Sequence, residues 1–259
     1  MKYFLIALGL IISVPTFSQM RMQADPSLES EMYPVENRKK IFKHQTLKFG
    51  NFQTLTVDRS WTRTNTAYDG FGINFEEGYM NIIGTEYTKS NQTLQFSLTD
   101  GNQKSQVFCV ADFKGADKYV GENKNSLFNI GMDILGKGGS YSSLYYIQVY
   151  LQGAEVPWQL IMDNQASQKS PGDYEAVYYQ SETDYYILKP QNKVVDPKKG
   201  KQGTIPFGSI GFEIQNEEGK PVAALSLMDQ GMVFFGDTSD EEKFLLANLC
   251  AALLMQEQI

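Results

Sequence analysis

The sequence is poor in the residues that carry out most protein chemistry. Its 259 residues include one histidine, two cysteines and two tryptophans. A single histidine excludes most zinc sites and leaves any Ser-His or Cys-His mechanism dependent on one side chain. A basic excess is also lacking, because 23 Lys and Arg stand against 30 Asp and Glu, a formal charge of −7. We therefore expect no nucleic-acid binding, which needs a basic face that displaces counterions.

Complete catalytic motifs are absent too. Asp237-Thr238-Ser239 is similar to one half of an aspartic-protease site, but no second copy exists, and the three residues suit a helix cap better. The glycines of Gly136–Ser140 have the wrong order for a phosphate loop, and Gly208–Gly211 is not a nucleophile elbow. His44 has no nucleophile motif beside it. We predict no catalytic, cofactor-binding or metal-ligating residue, and a protein that is not an enzyme.

Apolar runs long enough to span a bilayer, roughly 20 residues, are also missing. The first 18 residues carry Lys2, the uncharged run Tyr3–Val14 and a small-residue exit before Gln19. This layout is typical of a secretory signal peptide cleaved after Ser18, and the apolar run is too short for the alternative, a membrane anchor. We expect an exported protein, periplasmic or extracellular, with no transmembrane segment in the mature chain.

The chain after the signal divides into two parts. Residues 19–40 are polar, contain Pro26 and Pro34, and follow neither a strand nor a helix period, so we expect a flexible leader. Residues 41–259 form a single domain in this interpretation. The hydrophobic fraction of 42% is enough to give that domain a sizeable core.

Strand patterns dominate the domain. Apolar residues alternate with polar ones in 94–98 and again in 107–113, and the turn residues Asp100-Gly101-Asn102 separate the two runs. Such a pattern predicts a β-hairpin, because Asp and Gly tolerate the positive φ angles of a tight reversal. About a dozen similar short segments, spaced by roughly 8–12 residues, predict an antiparallel sandwich or barrel.

The last element is a predicted helix over residues 240–257. Ser239 and Glu242 have the spacing of a capping box, and acidic residues fill the first turn. In the window Phe244–Met255 the only polar residue is Asn248. A helix that is apolar on every side must be buried on every side, and its length of about 18 Å suits the axis of a small barrel.

The C-terminal part of the chain resembles the tubby/scramblase-like barrel family. The resemblance rests on Phe207–Ile214, Val222–Met228, Gly231–Phe235 and the helix from Glu241 to Gln256. It implies one closed antiparallel barrel of about twelve strands with the C-terminal helix threading the lumen. It also implies an association with membrane lipids, which tubby proteins achieve through basic residues that hold phosphoinositide headgroups.

Two basic clusters are candidate anion sites. One opens the domain at Arg38, Lys39, Lys40 and Lys43, and the other lies in a Pro-containing excursion. The excursion contains Lys189, Lys193, Lys198, Lys199 and Lys201. Either cluster could hold an anionic headgroup or the acidic face of a partner, and the alternative is a solvated loop.

Tyrosine doublets form a second candidate surface. One residue of each pair on a strand faces outward, and we expect the outward set to include Tyr146, Tyr179 and Tyr186. Together they would make an aromatic platform for a sugar or peptide. The alternative is an ordinary sheet surface, where tyrosine is common.

The two cysteines leave two alternatives open. Cys109 lies on a strand and Cys250 on the apolar helix, so a disulfide would fasten the helix to the barrel wall. Two buried free thiols are the other possibility, because cysteine is often buried without a partner.

The function that these features favour is a secreted binding or structural module without catalysis or cofactor. It would present its barrel wall and loops to a lipid, a glycan or an envelope protein as a monomer. One alternative is a hydrolase built from carboxylates such as Glu182 and Asp184. The other is a carrier of a small apolar ligand, which conflicts with a helix in the lumen.

Overall fold

The computed structural model of the protein describes residues 20–38, 46–61, 92–113, 144–206 and 208–256. The predicted signal peptide of residues 1–18 lies outside the described residues, as do His44 and the Gly136–Ser140 loop. Lys39, Lys40 and Lys43 of the first basic cluster lie outside them as well.

Strands are the main secondary structure of the described chain, with two α-helices and one short 3-10 turn. The strands are β1 (Arg21–Met22), β2 (Glu31–Pro34), β3 (Lys48–Phe49), β4 (Phe52–Trp61), β5 (Gln92–Thr99), β6 (Lys104–Phe113), β7 (Leu144–Leu151), β8 (Trp158–Asp163), β9 (Ala176–Tyr179), β10 (Tyr185–Gln191), β11 (Lys193–Val195), β12 (Gln202–Thr204), β13 (Gly211–Gln215), β14 (Pro221–Ser226) and β15 (Met232–Phe235). The helices are α1 (Asn164–Lys169) and α2 (Asp240–Met255), and the 3-10 turn is Pro26–Leu28.

Twelve of the strands form one antiparallel sheet that curls into a nearly closed barrel. Their order is β2-β15-β14-β13-β10-β9-β8-β7-β6-β5-β4-β3. At the seam, Glu36 just after β2 forms an isolated antiparallel bridge with Lys48 of β3. The remaining strands make a separate small sheet in the order β1-β11-β12. This architecture confirms the prediction of a mainly β domain built as an antiparallel barrel of about twelve strands.

The predicted hairpin at Asp100-Gly101 shows how the sequence builds the wall. The carboxylate of Asp100 accepts hydrogen bonds from the backbone N–H groups of Asn102 and Gln103, at 2.8 and 2.7 Å. Gly101 has a φ of 98°, a conformation that favours glycine. The alternating apolar residues of β5 and β6 are buried on the inner face, as their period of two predicts.

The turns divide the barrel into two distinct ends. Because successive strands run antiparallel, five short turns lie at the same end of the barrel, called here the short-turn end. These turns are residues 50–51, 100–103, 152–157, 180–184 and 216–220. Helix α2 begins at this end and runs through the barrel to the opposite end. The small sheet β1-β11-β12 is inserted between β10 and β13 and therefore belongs to the opposite end.

Helix α2 is buried along almost its whole length, as predicted. Every residue from Phe244 to Met255 is buried. The Ser239 hydroxyl caps the first turn by accepting from the Glu242 N–H at 3.1 Å. Asn248 donates to the Phe244 carbonyl at 2.8 Å and accepts a hydrogen bond from the hydroxyl of Ser105 in β6. The one polar residue in the apolar window is therefore satisfied on both its donor and its acceptor atoms.

The C-terminal carbonyls of α2 receive donors from distant parts of the chain. Arg38 donates to the Leu254 carbonyl at 2.9 Å, and Arg59 of β4 donates to the Met255 carbonyl at 3.0 Å. The Tyr145 hydroxyl donates to the Ala252 carbonyl at 3.0 Å. A buried helix end needs such partners, and the positive guanidinium groups also complement the negative end of the helix dipole.

The prediction of a flexible leader over residues 19–40 is wrong for the described residues 20–38. Strand β2 pairs with β15 along its whole length, from Glu31↔Phe235 to Pro34↔Met232. Before it, Met22, Ala24 and Leu28 are buried on the outer face of the barrel. They pack there against Ala224 and Phe234, forming a second small core. Strands of two and four residues are too short to show a period, so the sequence pattern missed them.

Burial of α2 predicts a large penalty for charge within it. Leu249→Asp should lower the free energy of unfolding by more than about 3 kcal/mol, because the change removes buried apolar contacts and leaves an unpaired charge. Urea unfolding measures the difference. The matched control is Leu55→Asp on β4, where the leucine is 47% exposed and the same change should have little effect. Equal, small losses in both variants would contradict the buried helix.

The second core predicts that the N-terminal segment contributes to stability. Leu28→Ala should cost about 2–4 kcal/mol, since Leu28 is fully buried and its removal leaves a cavity. Met20→Ala, at a residue that is 36% exposed, is the control and should change the unfolding midpoint little. An unchanged midpoint in Leu28→Ala would show that this segment does not pack on the barrel.

Candidate functional site

The axis of the barrel is occupied by side chains of α2. Leu246, Leu249 and Cys250 are completely buried there, together with the inward residues of the wall. The space in which a carrier would hold an apolar ligand is therefore filled by the protein's own core in the described part of the chain. The surfaces open to a ligand are therefore the outer wall and the two barrel ends.

Three of the predicted lysines lie together at the tip of the β11–β12 hairpin. This lysine hairpin comprises residues 193–204. The Asp196 carboxylate shapes its turn by accepting from the N–H groups of Lys198 and Lys199, at 2.9 and 3.1 Å. Gly200 follows with a φ of 65° and donates its N–H to the Asp196 carbonyl at 2.8 Å. The turn places the side chains of Lys198, Lys199 and Lys201 in solvent.

The other basic residues of the two predicted clusters have different roles. Lys189 on β10 forms an ion pair with Glu175 at 3.1 Å. Arg38 is half-buried and holds the end of α2, and its second guanidinium nitrogen donates to the Leu227 carbonyl at 2.6 Å. Among the ion pairs formed between described residues, none involves the lysines at the hairpin tip.

The predicted tyrosine platform does not form as a single surface. Tyr146 and Tyr179 do face outward, on β7 and β9, and the Tyr146 hydroxyl donates to Gln159 Oε1 between them at 2.7 Å. Both tyrosines are nevertheless buried. Tyr186 faces the inside, because β10 pairs Tyr186 with the inward Tyr178 and Tyr185 with the outward Tyr179.

Tyr186 instead belongs to an aromatic cluster at the short-turn end. Its ring centroid lies 5.5 Å from that of Trp158 and 6.4 Å from that of Tyr178, and the Trp158–Tyr178 distance is 5.2 Å. The Tyr186 hydroxyl donates to the carboxylate of Glu242, in the first turn of α2, at 3.0 Å. These four residues are called here the aromatic mouth. Trp158 faces inward because β8 pairs it with the inward Val149, a relation that depends on strand register.

The carboxylates proposed for a hydrolase lie in the turn at 180–184. The Asp184 carboxylate accepts hydrogen bonds from the hydroxyls of Ser181 and Thr183, so it serves to close this turn. Glu182 is exposed beside it. The Asp237-Thr238-Ser239 segment supplies the cap of α2, which agrees with the helix-cap interpretation.

Cys109 and Cys250 are both buried free thiols, so the structure contains no disulfide between them. Burial raises the pKa of the Cys109 thiol to about 12, against a hydrogen bond with Tyr145 that favours the thiolate. Burial likewise raises the pKa of Cys250. Because the thiolate is the nucleophile, neither residue is activated for covalent chemistry.

The described ranges contain neither a metal-ligating group nor a membrane-spanning helix. No group of three or more His, Cys, Asp or Glu residues there could hold a metal ion. None of the helices in that part of the chain is long and apolar enough to cross a membrane.

No family model, curated protein or solved structure matches the chain. The resemblance of the C-terminal part to the tubby/scramblase-like family therefore stays a prediction.

The free thiols predict two measurable properties. Without reductant, the native protein should not react with a thiol reagent at pH 8, and the urea-unfolded protein should show two reactive thiols. A disulfide would give none in either state.

The raised thiol pKa also predicts alkaline sensitivity. The unfolded thiol ionises near its ordinary pKa of about 9, whereas folded Cys109 keeps its proton up to a pKa of about 12. The contribution of this thiol to the free energy of unfolding is therefore constant below about pH 9 and falls as the pH rises toward 12. Cys109→Ala should lose less stability between about pH 9 and 11 than the parent chain, in urea titrations. Equal losses of stability in Cys109→Ala and the parent chain would contradict the raised pKa of Cys109.

Proposed function

We propose that the protein is an exported, non-catalytic binding module that attaches to an anionic lipid surface through the lysine hairpin. The observation that carries the proposal is the grouping of Lys198, Lys199 and Lys201, all exposed, at the tip of one structured turn. The grouping is notable because the chain as a whole is acidic.

The lysine hairpin has the chemistry for such a surface. Lysine side chains near an anionic bilayer contribute about 1 kcal/mol each, and the attraction needs no fitted pocket. In this protein the turn itself is held by Asp196, so the three lysines stay close together without pairing to a described carboxylate. Pairing of β11 with both β1 and β12 anchors the hairpin in the small sheet.

The alternatives have less structural support. A glycan platform needs accessible aromatic faces, whereas Tyr146 and Tyr179 are only 4% and 5% exposed. A carboxylate hydrolase needs free carboxylates facing a substrate, whereas the Asp184 carboxylate is engaged in closing its own turn. A carrier needs lumen volume that α2 occupies.

Co-sedimentation with vesicles tests the proposal. The protein should bind vesicles containing about one third phosphatidylglycerol and should not bind pure phosphatidylcholine vesicles. Replacing Lys198, Lys199 and Lys201 together by Gln should weaken binding at least about tenfold, because three attractive charges are lost. Binding should also weaken as salt is raised.

The matched control removes the same charge elsewhere. Lys104, Lys169 and Lys220 are exposed lysines on a strand, a helix and a turn away from the hairpin. Their triple replacement by Gln should leave more of the binding intact than the hairpin variant does. Equal binding by the two triple variants, or no binding of the parent protein to anionic vesicles, would refute the proposal.

A further inference from the structure

The aromatic mouth is a second surface with its own chemistry, at the barrel end opposite the lysine hairpin. Trp158 and Tyr186 are only partly buried, and both rings pack on the fully buried Tyr178. The floor of the mouth is thus rigid, while two aromatic rings are partly open to solvent. This combination is absent from the lysine hairpin.

Carboxylates from three separate elements lie at the barrel end that holds the Tyr186 hydroxyl. Glu242 comes from the start of α2, Asp184 from the turn at 180–184 and Glu217 from the turn at 216–220. After burial, the negative charges of Glu242, Asp184 and Glu217 raise the pKa of Tyr186. Glu242 also accepts the hydrogen bond from the Tyr186 hydroxyl at 3.0 Å. Asp184 and Glu217 are exposed, and neither is in an ion pair within the described ranges.

A polar atom without a partner lies at the base of the same site. The Tyr178 hydroxyl is completely buried and makes no hydrogen bond among the described residues. Burial is the main cause of the raised pKa of Tyr178, and the neighbouring Tyr186 raises it further. The centroids of the two rings are 6.4 Å apart. A buried hydroxyl left unpaired is costly, and a donor from a ligand would satisfy it.

The chemistry of the mouth selects one class of ligand. Partly open aromatic rings beside carboxylates favour a cation that can stack and donate hydrogen bonds together. A bare metal ion does not fit, because the described residues include no group of three acidic, His or Cys residues placed to share one ion. A guanidinium group fits better than an ammonium, since it is planar, stacks on aromatic faces and donates in a fork to carboxylates.

We propose that the aromatic mouth docks an arginine-bearing segment of a partner protein. Its guanidinium would stack on Trp158 and Tyr186 and donate to Glu242 and Glu217. The site is independent of the lysine hairpin, so the module would have one end for an anionic surface and the other for a cationic protein segment.

Tryptophan fluorescence tests the docking directly. The chain has two tryptophans, so Trp61→Phe leaves Trp158 as the only one. In this background, hexa-arginine should change the Trp158 emission saturably. Hexa-lysine should bind at least about threefold more weakly, because it carries the same charge but stacks less well. Equal affinities for the two peptides would overturn the proposal.

Charge variants locate the binding. The double variant Glu217→Gln/Glu242→Gln should weaken hexa-arginine binding about tenfold, because two charge-assisted contacts are lost. The control Asp58→Asn/Asp173→Asn removes the same charge from exposed residues outside the mouth and should bind nearly as well as the parent. Equal weakening in both would show binding by net charge alone and would overturn the proposal.

A second variant keeps every carboxylate and guards against misfolding of the first. Trp158→Leu should bind hexa-arginine at least about threefold more weakly by calorimetry, with the same thermal unfolding cooperativity as the parent. Unchanged affinity in a folded Trp158→Leu protein would overturn the stacking role. Vesicle binding through the lysine hairpin should be unaffected by this variant, which separates the two proposals.

Discussion

Burial of α2 along the barrel axis is the constraint on which the rest of the structure depends. An apolar helix inside a protein gains from the hydrophobic effect, but its polar backbone ends cannot be left without partners. At its C-terminal end the carbonyls of Leu254 and Met255 are satisfied by Arg38 and Arg59. Because α2 has no basic residue in its own last turn, these donors must come from elsewhere in the chain.

That requirement explains why the N-terminal segment belongs to the barrel. Arg38 can reach the end of α2 only if the chain before it is fixed, and β2 fixes it by pairing with β15. The outer core of Met22, Leu28 and Phe234 then holds the segment against the wall from outside. One helix, one edge strand and one external cluster are thus parts of a single stabilising arrangement.

Local signals predicted the architecture well, and the failures involve either very short strands or long-range relations. Alternation in β5 and β6 and the apolar window of α2 can be read within ten to sixteen residues, and both were predicted. The short strand β2 has too few residues for a period, and the caps Arg38 and Arg59 lie 216 and 196 residues from their carbonyls. The orientation of Tyr186 depends on the register between β9 and β10, which the doublet pattern alone does not contain.

The filled axis also determines where recognition can occur. A barrel whose lumen is core offers its wall and its two ends, and here the outward tyrosines Tyr146 and Tyr179 are buried. The ends differ in charge because the antiparallel order sends the short turns one way and the β11–β12 insertion the other. These charges complement the dipole of α2, because acidic residues lie in its first turn, at the positive end, and two arginines bind the carbonyls at its negative end. The arrangement that stabilises α2 therefore places acidic residues at one barrel end and arginines at the other, and the lysine hairpin adds to the basic end.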